Sequence, residues 1–156
     1  MSSFPAVEEL VPHRGGMSLV RDVVEHGPDY TVCAVDPAGS DLFRQADGSI
    51  PAWLSLEYMA QCIAAHGGLD ARGRGEPPAV GFFVGTRRIV LHADRFLPGE
   101  VLRVRAQKLR RSGGLLSFAC SVVRDTDGAV LAEGHLNVFL PKDLSVLTAE
   151  PEIERR

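Results

Sequence analysis

One stretch limits what this chain can become: Ile50 to Leu69, Ile-Pro-Ala-Trp-Leu-Ser-Leu-Glu-Tyr-Met-Ala-Gln-Cys-Ile-Ala-Ala-His-Gly-Gly-Leu. Its pattern predicts a helix. Pro51 suits a first turn, where its missing N–H has no helical acceptor to lose. Gly67-Gly68 is the expected stop, since glycine takes the left-handed conformation that helix ends favour. Nearly every position between is apolar or small. A helix apolar on all sides, in a chain too polar to sit in a bilayer, has to be wrapped by other elements. One carboxylate, Glu57, interrupts it, with Gln61 four residues on and so on the same face. A carboxylate in such company is costly unless it is paired, protonated or used. Burial favours its protonated form, which would let it serve as an acid near neutrality.

The flanking sequence supplies the wrapping. Met17–His26, with Leu19, Val20, Val23 and Val24, reads as a strand, and Gly27-Pro28-Asp29 as a turn. Tyr30–Val35 is a second strand rich in β-formers. Asp36–Ser49 is a polar loop leading into the helix, and Asp70–Pro78 a charged, Gly/Pro-rich connection. From residue 79 the period changes to two. Gly81–His92 is a long strand, and Leu97-Pro98-Gly99-Glu100 a turn. Leu102, Val104 and Ala106 then alternate with Arg103, Arg105 and Gln107. Ser112-Gly113-Gly114 and Asp125-Thr126-Asp127-Gly128 are hairpin signals. Between them Leu116, Phe118, Cys120 and Val122 form one face. After them Val130, Ala132, Gly134, Leu136 and Val138 are expected to point inward, until Pro141. The sum is an α+β domain over 1–140, a five- or six-stranded antiparallel sheet curled around one helix. A polar tail, expected to be loose, follows over 141–156. Such a sheet has open edges, so a dimer is expected.

Composition narrows the function. The 156 residues suit one domain with a real core. A net charge of −3 argues against nucleic acid and against a polybasic membrane anchor. Cys33, Cys62 and Cys120 are far apart in apolar runs, with neither metal spacing nor a disulfide framework. The first ten residues lack the basic and apolar regions of a secretory leader, and no apolar run is long enough to span a bilayer. A reduced, cytoplasmic protein is expected. No nucleotide loop or ligand cluster calls for a metal or organic cofactor.

The helix text Pro51-Ala-Trp-Leu-Ser-Leu-Glu57-Tyr-Met-Ala-Gln61 resembles the Pro-Gly-Val-Leu-x-x-Glu-Ala-Met-Ala-Gln signature of bacterial 3-hydroxyacyl-[acyl carrier protein] dehydratases. Pro12-His13-Arg14 with Met17-Ser-Leu-Val-Arg-Asp resembles the entry to their first strand. Val80-Gly-Phe-Phe-Val-Gly-Thr-Arg and Arg95-Phe-Leu-Pro-Gly-Glu resemble the strand and turn after their helix. The three matches stand in register from about Val11 to Leu140. The resemblance implies the hotdog fold, a dimer with two sites at its interface, and an acyl thioester substrate on acyl carrier protein or coenzyme A. In the family a histidine takes the proton next to the carbonyl, and the glutamate, from the opposite subunit, handles the departing hydroxyl.

That histidine is missing. It opens a His-Phe-Pro-Gly motif fourteen residues before the glutamate, and here that position is Phe43. No histidine lies between His26 and His66, and His66, nine residues past Glu57, is half a helical rotation away. The text Leu42-Phe43, Asp47-Gly48, Ile50-Pro51, Trp53 and Glu57 to Gln61 looks more like the dehydratase-like proteins of aryl-polyene gene clusters.

Glu57 is therefore the candidate catalytic residue. Ala52, whose N–H opens the helix, is the candidate donor to a thioester oxygen as it gains charge. Trp53, Gln61 and Phe43 complete the candidate substrate contacts, although a tryptophan in such a place is more often core, Gln61 has an equally plain structural role, and Phe43 has a space-filling one. Three functions remain open: a 3-hydroxyacyl thioester dehydratase, expected to be weak or inactive as a homodimer and complete with a histidine-bearing partner subunit, an acyl thioesterase using Glu57, and a non-catalytic acyl-binding partner subunit. His13, His26, His92 and His135 have solvated or local roles as the default. Arg87-Arg88 and Arg110-Arg111 are a wet strand face, or a greeting for an acidic carrier protein.

Overall fold

A two-stranded hairpin, a three-stranded meander and one further strand build the wall of the molecule. In this computed structural model, residues 4–10, 19–39, 41–76 and 82–139 are described. They comprise α1 (Val7–Leu10), β1 (Asp22–His26), β2 (Tyr30–Val35), β3 (Ile50–Pro51), a 3-10 turn (Ala52–Leu54) and α2 (Ser55–Gly73). There follow β4 (Phe82–Leu91), β5 (Arg95–Phe96), β6 (Leu102–Ser112), β7 (Leu115–Arg124) and β8 (Val130–Phe139). Six strands form one sheet in the order β1-β2-β6-β7-β8-β4, and β3 pairs with β5 apart from it. All pairings are antiparallel. The sheet packs on α2 and leaves β1 and β4 as its edges. This is the hotdog fold.

Period-two alternation works as expected on β6 and β7. Leu102, Val104, Ala106, Phe118 and Val122 are sealed, and Cys120 nearly so. On β8 the alternation breaks at its first residues. Val123 pairs with Val130 while Val122 pairs with Ala132, so Leu131 is an extra residue. Such a bulge turns the strand locally, and Leu131 is buried while Val130, expected inside, faces out. The same device on β1, between Val23 and Glu25, leaves Val24 and Glu25 both facing out.

The central helix departs from expectation at both ends. Residues 50–54 are a short strand and a 3-10 turn, so the α-helix starts at Ser55. Pro51 and Ile50 pair with Arg95 and Phe96, which holds that backbone extended. Gly67-Gly68 does not stop the helix. A Cβ at Gly68 would lie 2.7 Å from the Leu10 carbonyl oxygen, so this glycine is where α1 rests on α2. The stop comes at Gly75, at φ +69°. Its N–H reaches the Arg72 carbonyl and the Glu76 N–H reaches that of Ala71, the paired bonds of a Schellman end. Asp70–Gly73, expected in the connection, are helical.

Nor is the helix enclosed all round. Tyr58, Met59, Cys62, Ile63 and Ala65 are buried against the sheet. Leu56, Glu57, Ala60, Ala64 and Gly67 form a stripe that stays partly open. Among the described residues no helix is long and apolar enough to cross a membrane. The Pro12-His13-Arg14 motif, Met17, Val80-Gly81 and the tail from Leu140 lie outside the described residues.

Candidate active site

Glu57 stands in the first turn of α2, where the positive end of the helix dipole favours a carboxylate. It lies on the half-open stripe rather than in the sealed interior. Gln61, one turn on and fully buried, donates from Nε2 to Glu57 Oε1 at 3.1 Å. Gln61 Oε1 in turn accepts the backbone N–H groups of Leu19 at 2.9 Å and Val20 at 3.1 Å. Two donors on that atom identify it as the oxygen, which leaves the nitrogen to face Glu57. The segment entering β1, both of whose residues are buried, therefore fixes the orientation of the group on the carboxylate. Leu19 and Val20 are contributors that sequence reasoning missed. Only their backbones act, and a backbone role leaves no mark on residue type.

The start of the helix is arranged differently from the expectation. The Ala52 N–H is already committed, donating to the Asp94 carbonyl oxygen at 3.1 Å. This bond extends the β3–β5 pairing by one residue and takes the amide away from a ligand. The Trp53 amide comes next, and it precedes every residue with an intrahelical acceptor. Ser55, in the same turn, has a sealed hydroxyl oxygen with no partner among the described residues. A serine among apolar neighbours was the visible signal for it.

Phe43 and Trp53 do meet. Their rings stand edge to face with centroids 5.7 Å apart and planes at 83°. Phe43 is partly buried, while Trp53 is 57% exposed, so it is no core residue of this chain. The loop that carries Phe43 is pinned behind it. Ser49 Oγ donates to Gln45 Oε1 at 2.8 Å, and Arg95 pairs with Asp47 at 3.2 Å. Phe43 thus stands beside the helix start, in the place where the resemblance puts a histidine.

A model of the family described as ApeP dehydratase, ApeP-like, matches residues 5–149. The chain belongs to the ApeP-like dehydratase family. Among curated proteins it is similar to the 3-hydroxyacyl-[acyl-carrier-protein] dehydratase FabZ of Ruminiclostridium cellulolyticum. That match is 28% identical over 141 residues and spans 87% of this chain and 95% of the relative. Among solved structures it is similar to the dehydratase heterocomplex ApeI:P of Xenorhabdus doucetiae. The TM-score there is 0.83 at 26% identity, over 93% of this chain and 97% of the other. Zebrafish thioesterase superfamily member 2 shares the fold, with a TM-score of 0.65 at 18% identity over 86% and 92%.

Among the described residues of this ApeP-like chain, a second polar group lies on the opposite face of α2. His66 is buried at the other side of α2, with Nδ1 2.8 Å from Thr31 Oγ1, and His26 Nδ1 lies 2.7 Å from that same oxygen. His26 is therefore a half-buried member of a hydrogen-bonded array rather than a solvated turn residue. Cys33, Cys62 and Cys120 are buried and reduced. Burial pushes the Cys62 thiol up and the Cys120 thiol to about 12, so neither is a nucleophile. No cluster of three or more His, Cys, Asp or Glu suited to a metal occurs among the described residues. A cavity of about 400 Å³ opens on the outer sheet face, lined in part by Arg88, Arg105, Glu133 and His135. Glu57 has no part in it.

Proposed function

We propose that this chain supplies the glutamate half of a 3-hydroxyacyl-[acyl carrier protein] dehydratase site, and that a second hotdog subunit supplies the histidine. The observation that carries this reading is the pairing of a kept half with a lost one. Glu57 is held by a buried, fully employed Gln61, while an aromatic residue, Phe43, stands in the histidine's place and stacks on Trp53. A relic carboxylate has no need of so specific a support. The half-open stripe of Leu56, Glu57, Ala60, Ala64 and Gly67 supports it too, since a helix side of mainly small residues lets a second helix approach closely. So does the similarity to a chain of the ApeI:P heterocomplex.

In the reaction the C2–H bond of the 3-hydroxyacyl thioester breaks, C2=C3 forms, and the C3 hydroxyl leaves as water. The partner's histidine takes the C2 proton. Glu57 gives a proton to the departing hydroxyl. The Trp53 amide, rather than that of Ala52, meets the thioester oxygen as charge builds on it. Trp53 and Phe43 flank the acyl chain. The substrate arrives on acyl carrier protein, in a fatty-acid or aryl-polyene pathway.

The test is a product assay with a 3-hydroxyacyl thioester on carrier protein. The chain is assayed alone, then mixed with a histidine-bearing hotdog subunit from the same gene neighbourhood. Enoyl product only in the mixture, lost with Glu57→Gln, is the expected result. Enoyl product from the chain alone would overturn the shared site, and free thiol without enoyl would replace the dehydratase with a thioesterase.

A further inference from the structure

We infer that the trough on the outer face of the sheet is a binding site for a small linear dicarboxylate, with Arg105 receiving one carboxylate and Arg88 the other. The site is independent of Glu57 and of the dehydratase reading. Its shape follows from the strand register. Two ladders of paired residues cross the sheet side by side. One runs Gln107, Ala119, His135, Arg88, and the other Arg105, Ser121, Glu133, Val90. Directly paired residues share a face, and here β7 places only an alanine and a serine between longer side chains. The result is the cavity of about 400 Å³, within the range of about 300–1,000 Å³ that small-molecule sites occupy. β6 and β8 stand about 10 Å apart, two strand spacings. The side chains rising from them leave no room for a helix, which is itself about 10–12 Å across.

The walls carry more cation than acid. Arg88 is exposed, and its guanidinium has no hydrogen-bond or ion-pair partner among the described residues. Arg105 is held in place. Its Cζ lies 4.4 Å from the Tyr30 ring centroid, and one N–H reaches Gln107 Oε1 at 3.4 Å. Stacking occupies the face of a guanidinium and leaves its remaining N–H groups free to donate in the plane. Glu133 is the one acid among the described lining residues, and its Oε2 lies 3.0 Å from His92 Nε2. The two arginines stand on β6 and β4, about 14 Å apart across the sheet. Tyr30 holds Arg105 back toward β2, so two acid groups are needed to engage both. A short methylene chain between them lies over Ala119 and Val90. Phosphate is the poorer match, because it favours clustered free backbone N–H groups, and those of β7 are spent in ladders with β6 and β8.

The test titrates adipate into the ¹⁵N-labelled full chain and follows the Ala119 and Ser121 amides. Saturable shifts are expected there, with affinity falling about tenfold in Arg88→Gln and by a similar factor in Arg105→Gln, as the loss of a charged hydrogen-bonded contact requires. Hexanoate, of the same length with one acid group, is expected to bind about tenfold more weakly than adipate. Arg88→Gln alters an exposed side chain on an edge strand, so the test survives a loss of folding in Arg105→Gln, whose parent side chain packs on Tyr30. No saturable shift with adipate, equal binding of hexanoate, or an unchanged affinity in Arg88→Gln would each overturn the inference. Pyrophosphate binding more tightly than adipate would overturn the choice of a carboxylate ligand.

Discussion

Gln61 and His66 stand five residues apart on α2, both sealed from water, and their polar atoms meet different fates. Gln61 spends its oxygen on two backbone amides and its nitrogen on Glu57. His66 has Thr31 on Nδ1, but its Nε2 has no hydrogen-bond partner among the described residues, with Asp70 Oδ2 3.9 Å away. Thr31 has a single hydrogen to give. If it donates to one Nδ1, the ring on its other side must donate to it, so His26 and His66 hold different tautomers when both are neutral. One half of the helix thus delivers a titratable group to a half-open surface on a neutral, satisfied support. The other half hides a titratable group and supports it incompletely. The first arrangement suits chemistry, and the second makes stability depend on protons.

The sharpest way to separate the halves is to strip each of its titratable group. Glu57→Gln in the complex is expected to lower the dehydration rate at least a hundredfold, with a melting midpoint close to the parent's. Full activity in a steady-state enoyl assay would break the contrast. Gln61→Leu leaves two buried amides unsatisfied and is expected to cost about 2–5 kcal/mol in urea unfolding. Thr31→Val removes only the contacts at the far half. It is expected to cost about 1–3 kcal/mol and to leave kcat untouched, which a chevron and an activity assay together would check.

The protons provide a finer test. Burial, with His26 and Lys108 adding to it and Asp70 opposing, holds the His66 pKa below its ordinary value. The folded chain therefore binds fewer protons there than the unfolded chain, whose histidine titrates near pH 6.5. The contribution of His66 is complete above that pH and is lost as pH falls below it, by up to about 1.4 kcal/mol per unit. Urea midpoints at pH 7.5 and 5.5 should converge in His66→Gln, and equal slopes in parent and variant would remove the histidine from the account. The smallest effect belongs to the surface pair. Trp53→Leu forfeits an edge-to-face contact of about 0.5–1.5 kcal/mol. Double-mutant analysis with Phe43→Leu should recover that coupling.

Much of this architecture was legible because it rests on local pattern. Tyr30–Val35 is a strand with the bounds its β-branched and aromatic residues suggested, and the alternation on β6 and β7 gave their inner faces. The resemblance of the helix text led to the right family. What stayed hidden depended on distant partners. Gly68 reads as a stop until Leu10 is seen lying on it. Ala52 reads as an open donor until Asp94 claims its N–H. Leu131 and Val130 exchange faces through a bulge that no residue type announces. His26 and His66 are forty residues apart in sequence, yet both reach the Thr31 hydroxyl and their rings meet with centroids 5.2 Å apart. The Glu57–Gln61 pair, one turn apart, was visible from spacing alone, but the amides that orient it were not.

The bonds from Leu19 and Val20 to Gln61 span 42 and 41 residues. A chain leaving the ribosome in order exposes those two amides long before their acceptor exists. They remain bonded to water until the whole of β2, the loop over 41–49 and two turns of α2 have emerged. The carboxylate is then fastened at the moment the opening segment is, so a chain caught before that closure carries Glu57 with no fixed direction.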